Sequence, residues 1–300
     1  MKTLGIITTT YNRGYCIHQV YESLVKQECK DFMWLVIDDG STDNTKEIIQ
    51  KFIDENKIEI EYIYHDNMGM TASRNVAYEN IKTKINTIID SDDWLEDDAI
   101  SKIINFWEKN NNKTVAGIIA LNKKTNGNKI GKNLPNNVKQ CTFTDLEQKY
   151  KCGGDKKFIY RSDISRKYSY PRFENENYFP ASYKFSLIDL DYEMLLMNEY
   201  VCIVDINETG ATFNRVNQYK TCAKGFAFYR NEMMRIWKRP LYIAKSAIHY
   251  ISASKFAKDK YYIRNASNKK YVILCLPIGL LFHKYLQHTK RKSLKHKIGN

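Results

Sequence analysis

Apolar residues follow two different spacings along the first 120 positions of the chain. Short apolar or alternating runs predict strands at 4–8, 34–37, 58–64, 85–89 and 115–121. Between them, apolar residues recur at the spacing of amphipathic helices, at 17–25, 48–53, 71–81 and 96–108. Strands that alternate with helices predict an α/β fold with a Rossmann-like, mainly parallel sheet flanked by helices.

The pattern becomes less regular after residue 120. Residues 122–137 are rich in Lys, Asn and Gly and are predicted to form a loop. The segment 188–194 fits a strand or a helix, and its alternating acidic residues, Asp189, Asp191 and Glu193, favour an exposed strand face. The expected organisation is a domain at 1–217, with parts 1–120 and 121–217, followed by a helical and basic region at 218–300.

Polar residues follow three of the predicted strands at the point where each strand ends. They read TTTYNR at 8–13, DDGSTD at 38–43 and DSDD at 90–93. Open α/β sheets bind ligands beyond the carboxyl ends of their strands, so parallel neighbouring strands would bring the three segments together. Each segment alone also fits a simpler structure, because DGSTD is a common turn before a helix and DSDD is a common solvated turn.

The chemistry of these segments suits a nucleotide diphosphate. The ring of Tyr11 can stack on a base, and the carboxylate of Asp39 can accept a hydrogen bond from a base N–H group. Asp90, Asp92 and Asp93 form the most informative cluster, because two carboxylates about 4 Å apart repel by roughly 4 kcal/mol at an effective dielectric constant of about 20. Mn²⁺ or Mg²⁺ would offset that repulsion, since both prefer oxygen ligands, and Mg²⁺ is often held by one or two carboxylates together with substrate phosphates.

The series of motifs resembles family 2 glycosyltransferases of the GT-A fold over about the first 110 residues. The resemblance is carried by residues 9–13, 36–43, 67–75 and 88–93. It implies that Thr9, Tyr11 and Asp39 hold the nucleoside, most often uridine, and that Asp92 binds the metal with Asp93 as support. The remaining residues that it assigns to the donor are Asn12, Arg13, Gly69, Arg74 (near the diphosphate or the aspartates), Asp90 (near the ribose or sugar) and Ser91.

Family members invert the anomeric carbon by direct displacement, so the resemblance also implies a base that deprotonates the acceptor hydroxyl. The segment FENENYFP at 173–180 looks like one found in bacterial surface-polysaccharide members. We expect Glu176 to be this base, with Glu174 as the second candidate. Family members often place an Asp after a Glu here, and this chain lacks that pair. Both glutamates also fit solvated loop charges, and Asp189, Asp191 and Glu193 are fallback candidates.

Charge separates the chain into two parts. The formal net charge is +13, but residues 218–300 hold 19 Lys and Arg against two acidic residues and so carry +17. The apolar run 271–282 is shorter than the roughly 20 residues that span a bilayer, and lysines and Arg291 follow it. An apolar stretch beside a basic flank predicts a segment that lies on a membrane surface. The upstream segment 226–239 is also basic and aromatic, and a solvated helix packed on the catalytic body fits it as well. No nucleic-acid motif accompanies the charge, so no nucleic-acid partner is expected.

The cysteines and histidines add little chemistry. The seven cysteines include no CxxC pair, and no apolar leader opens the chain, so the cytoplasm is the expected compartment. His249 lies in a predicted apolar helix, where a packed and hydrogen-bonded side chain is expected and a second metal ligand is the alternative.

These observations lead to one expected function and two alternatives. We expect an inverting, metal-dependent transferase that moves a sugar from a UDP-sugar to a glycan or lipid-linked glycan in bacterial cell-surface polysaccharide synthesis, at the inner face of the cell membrane. A sugar nucleotidylyltransferase would also bind a nucleotide on an α/β sheet, but the chain lacks the glycine-rich basic loop of that class. A catalytically inactive, transferase-like assembly subunit is disfavoured by the intact aspartate cluster.

Overall fold

The computed structural model of this chain describes residues 1–205 and 215–289, which form two compact units. Among these residues, the first unit comprises 1–170 and 181–205, and the second comprises 171–180 and 215–289. The strands of the first unit are β1 (Leu4–Thr10), β2 (Phe32–Asp38), β3 (Ile60–Tyr64), β4 (Ile85–Ile88), β5 (Trp94–Leu95), β6 (Val115–Lys124), β7 (Gln140–Cys141), β8 (Lys156–Arg161) and β9 (Glu193–Val204). Its helices are α1 (His18–Lys26), α2 (Thr45–Glu55), α3 (Met70–Asn80), α4 (Ala99–Asn110), α5 (Phe143–Gln148), α6 (Ser162–Lys167) and α7 (Ser182–Ile188).

One large sheet organises the first unit. Its strand order is β3-β2-β1-β4-β8-β6-β9-β5, and β7 pairs with β9. The strands β3, β2, β1 and β4 are parallel, whereas β8 runs antiparallel to both of its neighbours. The expected α/β class, with a Rossmann-like sheet, flanking helices and a C-terminal helical region, is therefore confirmed.

The core of this unit forms where the helices cover the parallel strands. Trp34 of β2 is fully buried and donates its indole N–H to Thr8 at 2.9 Å. Tyr21 of α1 and Phe52 of α2 stack at a centroid distance of 3.9 Å beside it. Strands β1 and β2 are buried along nearly their whole length, as is usual in parallel sheets covered by helices, whereas the edge strand β3 is largely half-buried.

Two predicted elements were wrong in detail. The helix predicted at 96–108 begins at Ala99, because the residues before it still bond to β9: Trp94 and Leu95 pair with Ile203 and Cys202, and the Glu96 N–H donates to the Val201 carbonyl at 3.1 Å. The acidic alternation at 188–194 is not an exposed strand face throughout. Asp189 follows helix α7 and accepts two backbone N–H groups at the start of α5, at 2.8 and 2.7 Å, and β9 begins only at Glu193.

The second unit is helical in the residues that the structure describes. Its helices are α8 (Arg215–Thr221), α9 (Ala223–Ile236), α10 (Pro240–Phe256), α11 (Tyr262–Asn265), α12 (Lys269–Leu274) and α13 (Leu276–His288). Helix α10 is central, and its buried residues Ala247 and Ile251 share a core with Val272 and Cys275. Gly279 allows α13 to approach α10 closely, since a Cβ there would lie 2.7 Å from the Ile251 side chain. Within 1–205 and 215–289, each helix is too short or too polar to cross a bilayer.

Candidate active site

The polar segments after β1, β2 and β4 lie at the same edge of the sheet. Strand β1 pairs in parallel with β2, with Thr10 opposite Asp38, and with β4, with Ile7 opposite Ile88. The contact continues beyond the strands, since the Asp39 N–H donates to the Thr10 carbonyl at 2.8 Å. Because the three strands are parallel neighbours, their carboxyl ends form the edge at which such sheets bind ligands.

Asn12 joins the loop after β1 to the loop after β2. Its backbone has a φ of 52°, a left-handed conformation that asparagine tolerates better than most residues. Its Oδ1 accepts the N–H groups of Thr42 at 2.8 Å and Asp43 at 3.3 Å, and its own N–H donates to Ser41 Oγ at 2.9 Å. Next to it, Tyr11 is 48% exposed, so its ring can meet a planar ligand.

Asp39 is buried and uses its carboxylate to hold the loop before α3. One oxygen accepts the Met68 N–H at 2.7 Å and the other accepts the Gly69 N–H at 2.9 Å. Gly40 permits this approach, since its φ is 81° and a Cβ there would lie 2.7 Å from the Asn67 nitrogen. His65 Nδ1 lies 3.5 Å from the first of these oxygens. Each carboxylate oxygen has two lone pairs, so the second oxygen can accept a further hydrogen bond from a base.

The three aspartates after β4 have different surroundings. Asp90 is exposed and forms an ion pair with Arg74, at 3.1 Å between Asp90 Oδ1 and Arg74 Nη2. Asp92 is half-buried, whereas Asp93 is buried and accepts the Asp205 N–H at 3.2 Å. A hydrogen bond of 2.9 Å from the Asp93 N–H to the Asp90 carbonyl closes the turn. Four consecutive residues therefore present an exposed, a half-buried and a buried carboxylate.

Burial and neighbouring charge disfavour ionisation of Asp92 and Asp93. Burial is the main reason that the pKa of Asp92 is raised; the Asp90 carboxylate adds to the rise, and the Arg13 guanidinium opposes it. The pKa of Asp93 is raised as well, mainly by burial, and Lys157 opposes that rise. A carboxyl group with a raised pKa resists ionisation, and a nearby cation stabilises its ionised form. The turn is therefore a favourable place for positive charge.

Lys157 is a residue of this site that the sequence analysis missed. Its ammonium group is buried and donates to the carbonyl of Ile88, the last residue of β4, at 3.1 Å. Burial lowers its pKa, but Cys202 and Asp93 raise it, and the net direction is upward, so this lysine stays charged. The available signal was a Lys-Lys pair directly before the apolar run 158–160, which puts a cation inside a buried strand.

The carboxylates of the turn are suited to a cation that brings other ligands with it. In the part of the chain that the structure describes, no three His, Cys, Asp or Glu side chains are arranged to hold a metal ion. One oxygen of Asp93 is directed at the Asp205 N–H, which leaves Asp92 as the principal candidate ligand. An oxygen-liganded cation held by one or two carboxylates and completed by substrate phosphates fits this arrangement.

The remaining residues assigned to the donor lie in the segments after β1 and β4 and at the start of α3. Thr9 is half-buried near the end of β1, and Ser91 is buried within the aspartate turn. Gly69 directly precedes α3, the helix that carries Arg74. Arg13 fixes its backbone through a hydrogen bond from its N–H to Thr45 Oγ1 at 3.1 Å. The first unit thus contains all of the predicted donor and metal residues.

The two candidate bases belong to the second unit. Glu174 is exposed. Glu176 is half-buried, and its two carboxylate oxygens accept the N–H groups of Lys224 and Gly225, each at 2.7 Å. These donors lie in the first turn of α9, where unpaired N–H groups and the helix dipole favour a negative charge. Glu176 therefore caps a helix, a role that its sequence position did not reveal.

His249 is packed among aromatic rings of the second unit. Its ring meets Tyr219 and Phe282 edge-on, at centroid distances of 6.0 and 4.8 Å. Burial, followed by the charges of Arg230 and Lys245, lowers its pKa to about 3, so the ring is neutral. The expected packing is confirmed, but Nδ1 has no hydrogen-bond partner within the described residues.

The sheet order and the acidic turn define an α/β protein of the GT-A type. Residues 5–168 match the profile of Glycosyl transferase family 2. Because this match covers more than half of the chain, the chain belongs to that family.

Two curated relatives align with different lengths of this chain. An uncharacterized glycosyltransferase of Haemophilus influenzae is 34% identical over 110 residues, which are 37% of this chain and 44% of that protein. The chain therefore matches less than half of the length of this relative. The poly(ribitol-phosphate) beta-N-acetylglucosaminyltransferase TarP of Staphylococcus aureus is 23% identical over 263 residues, which are 84% of this chain and 77% of TarP.

Two solved structures share the fold at low sequence identity. S. aureus TarS 1-349 in complex with UDP-GlcNAc is 18% identical with a TM-score of 0.63, over 93% of this chain and 81% of that chain. The mannosyltransferase PcManGT from Pyrobaculum calidifontis, in complex with GDP-Man and Mn²⁺, is 15% identical with a TM-score of 0.57, over 95% and 81% of the two chains.

Proposed function

We propose that this chain is an inverting, metal-dependent glycosyltransferase that moves a sugar from a UDP-sugar to a hydroxyl group of a glycan or lipid-linked glycan. The pathway that we propose is bacterial cell-surface polysaccharide synthesis, such as cell-wall or capsule assembly. The observation that carries the proposal is the aspartate turn at the end of β4, where burial raises the pKa of Asp92 beside two further carboxylates.

The first unit supplies the residues that we assign to the donor. Tyr11 and Thr9 would contact the nucleoside together with Asp39, whose carboxylate also accepts two backbone N–H groups. The other proposed donor contacts come from Asn12, Arg13, Gly69, Arg74, Asp90 and Ser91. The arrangement of these residues around one sheet edge supports a single bound donor rather than separate sites.

Asp92 is the proposed metal ligand, with Asp93 in support. Mn²⁺ or Mg²⁺, when bound, would offset negative charge on the departing diphosphate. The protein places the two carboxylates close together and partly out of water, which raises their pKa values, and a bound cation would stabilise their ionised forms. The presence of Mn²⁺ with GDP-Man in PcManGT is consistent with this use of the fold.

The proposed reaction is a single displacement. A base removes the proton of the acceptor hydroxyl while its oxygen forms a bond to the anomeric carbon. The bond between that carbon and the β-phosphate oxygen breaks, and UDP leaves with the bonding electrons. Glu176 is the proposed base and Glu174 is the second candidate. Both carboxylate oxygens of Glu176 already accept backbone N–H groups, from Lys224 and Gly225, so comparing the two Glu→Gln variants decides between the candidates.

The choice of first donor and acceptor to test follows from the similar proteins. TarS binds UDP-GlcNAc, and the name of TarP describes N-acetylglucosamine transfer to poly(ribitol-phosphate). UDP-GlcNAc is therefore the first donor to test, and anionic polyol-phosphate polymers are the first acceptors. A cytoplasmic location at the inner face of the membrane is proposed, with contact through the C-terminal region.

The test measures transfer directly. Purified protein is incubated with UDP-sugars, candidate acceptors and Mn²⁺, and both UDP release and glycosylated product are quantified by mass spectrometry. Asp92→Asn should abolish transfer, whereas Asp97→Asn, an exposed acidic residue a few positions later, should leave it intact. Full activity of the Asp92 variant or activity in excess chelator would contradict the proposal, and diphosphate release from a nucleoside triphosphate and a sugar phosphate would favour a nucleotidylyltransferase.

A further inference from the structure

Helices α12 and α13 expose an unusually apolar surface. Ile273 and Leu274 of α12 are 60% and 71% exposed, and Ile278, Leu281 and Tyr285 of α13 are 56%, 66% and 66% exposed. Residues 278, 281 and 285 recur at the three- and four-residue spacing that places side chains on one side of a helix. We call these five residues the apolar face.

The apolar face is distinct from the side of α13 that holds the second unit together. Gly279, His283 and Leu286 are buried, and Gly279 packs against Ile251 of α10. When both sides of a helix are apolar, packing one side on the core leaves the apolar side chains of the other side exposed to solvent. Exposed apolar clusters of this kind mark interaction sites more often than isolated exposed leucines do.

Basic residues border the apolar face. Lys269 and Lys270 are exposed one helical turn before Ile273 and Leu274, and Lys284 is exposed three residues after Leu281. Acidic residues are scarce, since residues 218–300 contain only Glu232 and Asp259. Glu232 forms an ion pair with Arg235 of the same helix, at 2.7 Å.

We infer that the apolar face lies on an anionic lipid bilayer, with Ile273, Leu274, Ile278, Leu281 and Tyr285 entering the interface and the bordering lysines contacting lipid phosphates. This surface would provide the peripheral attachment proposed above, and the inference rests on that attachment and not on the transfer reaction. Apolar side chains flanked by lysine are the usual composition of helices that lie in a membrane interface.

Other occupants fit the composition less well. A second copy would bring two strongly basic surfaces together, and their repulsion opposes a dimer through this face. The chain's own residues 290–300 are mostly basic and polar and contain only Leu294 and Ile298 as large apolar side chains. A soluble anionic polymer would engage the lysines but would leave the apolar side chains in water.

The test uses the full chain and vesicles, without donor or acceptor. Wild-type protein should sediment with phosphatidylcholine vesicles that contain phosphatidylglycerol and not with phosphatidylcholine alone. The triple variant Leu274→Ser/Ile278→Ser/Leu281→Ser should bind anionic vesicles at least about tenfold more weakly, because it removes three of the four aliphatic side chains of the face. Lys269→Gln/Lys270→Gln should also weaken this binding, by about fivefold per charge.

The matched control is Leu190→Ser, which removes a leucine of the first unit that is 55% exposed. It should bind vesicles as the wild type does. Tyr285→Trp adds a fifth tryptophan. The emission of this variant minus that of the wild type should shift to the blue on anionic vesicles, which reports the face itself even if a serine variant unfolds.

Three outcomes would overturn the inference. The triple variant, folded by circular dichroism, could bind vesicles as well as the wild type does. The wild type could be a dimer that the triple variant dissociates, with no vesicle binding by either, which would identify a second copy as the occupant. Retention on polyphosphate without vesicle binding would identify a soluble polyanion. Each result is independent of transfer activity, so a failure here and a failure of the proposed reaction can be told apart.

Discussion

Replacing Glu176 with Gln tests whether this carboxylate holds a helix, acts as a base, or does both. In the native protein its two oxygens accept the N–H groups of Lys224 and Gly225, each at 2.7 Å. Gln keeps the shape of the side chain and one carbonyl oxygen. Its amide group cannot accept the second N–H, so one backbone donor of the first turn of α9 loses its partner.

The magnitude follows from these two contacts. A hydrogen bond to a charged group contributes about 1.5–3 kcal/mol. The attraction between a negative charge and the first turn of a helix adds about 0.3–1 kcal/mol. Glu176→Gln should therefore lower the free energy of unfolding of the helical unit by about 2–4 kcal/mol.

Two measurements read this loss. Urea unfolding followed by circular dichroism reports the stability, and hydrogen exchange of the first turn of α9 reports the local effect. The amides of Lys224 and Gly225 should exchange faster by about 30-fold or more, since each 1.4 kcal/mol corresponds to a factor of about ten. Glu174→Gln is the matched control, because Glu174 is exposed on the same segment and its loss should change stability by less than about 0.5 kcal/mol.

Unchanged unfolding and unchanged exchange in Glu176→Gln would refute the capping argument. Activity separates the second role. Loss of a catalytic base lowers kcat by about 10²–10⁴-fold, even at temperatures where the variant is fully folded. A residue that only caps the helix would show wild-type kcat under those conditions, and Glu174→Gln would then be the variant that loses activity.

Two further predictions concern the first unit. Gly40→Ala should destabilise the protein by about 2–3 kcal/mol, because the Cβ meets the Asn67 nitrogen at 2.7 Å and the φ of 81° is strained for alanine. Gly127→Ala has a similar φ of 78° but open space around the Cβ, so its thermal unfolding should show only the smaller conformational cost of about 1 kcal/mol. Burial raises the pKa of Asp189 to about 6, so its folded state binds the proton more tightly than the unfolded chain, and the stability that this brings is lost as pH rises from about 4 to about 6. Asp189→Asn should remove up to about 3 kcal/mol of that decline in urea titrations at pH 4 and pH 7, and an unchanged decline would contradict the assignment.

The sequence was most informative where local pattern and position coincide. The ends of β1, β2 and β4 could be located because each apolar run stops abruptly at polar residues, and the parallel order then brings the ends together. The pairing of Trp94 and Leu95 with β9 could not be found in this way, because two residues carry no periodicity and the partner strand lies about a hundred positions later.

Contacts between distant positions explain the other differences. The two N–H groups that Glu176 accepts lie 48 and 49 residues later in the chain, so the segment FENENYFP by itself does not predict a helix cap. Asp189 alternates with Asp191 and Glu193 as a strand would, yet it is held by backbone N–H groups that are 46 and 45 residues earlier. The sequence analysis assigned Asp39 to ligand binding. Its carboxylate also accepts the N–H groups of Met68 and Gly69, and the residue type alone does not tell this structural role from a role in ligand binding.

The central claim is that Asp92 couples a divalent cation to the phosphates of a nucleotide. Isothermal titration of UDP into the protein, with and without saturating Mn²⁺, measures this coupling directly. We predict that Mn²⁺ tightens UDP binding by about tenfold or more, or about 1.4 kcal/mol, and that the effect grows with pH because the pKa of Asp92 is raised by burial and Asp90. The coupling should vanish in Asp92→Asn and persist in Asp97→Asn, whereas equal coupling in wild type and Asp92→Asn would contradict the account.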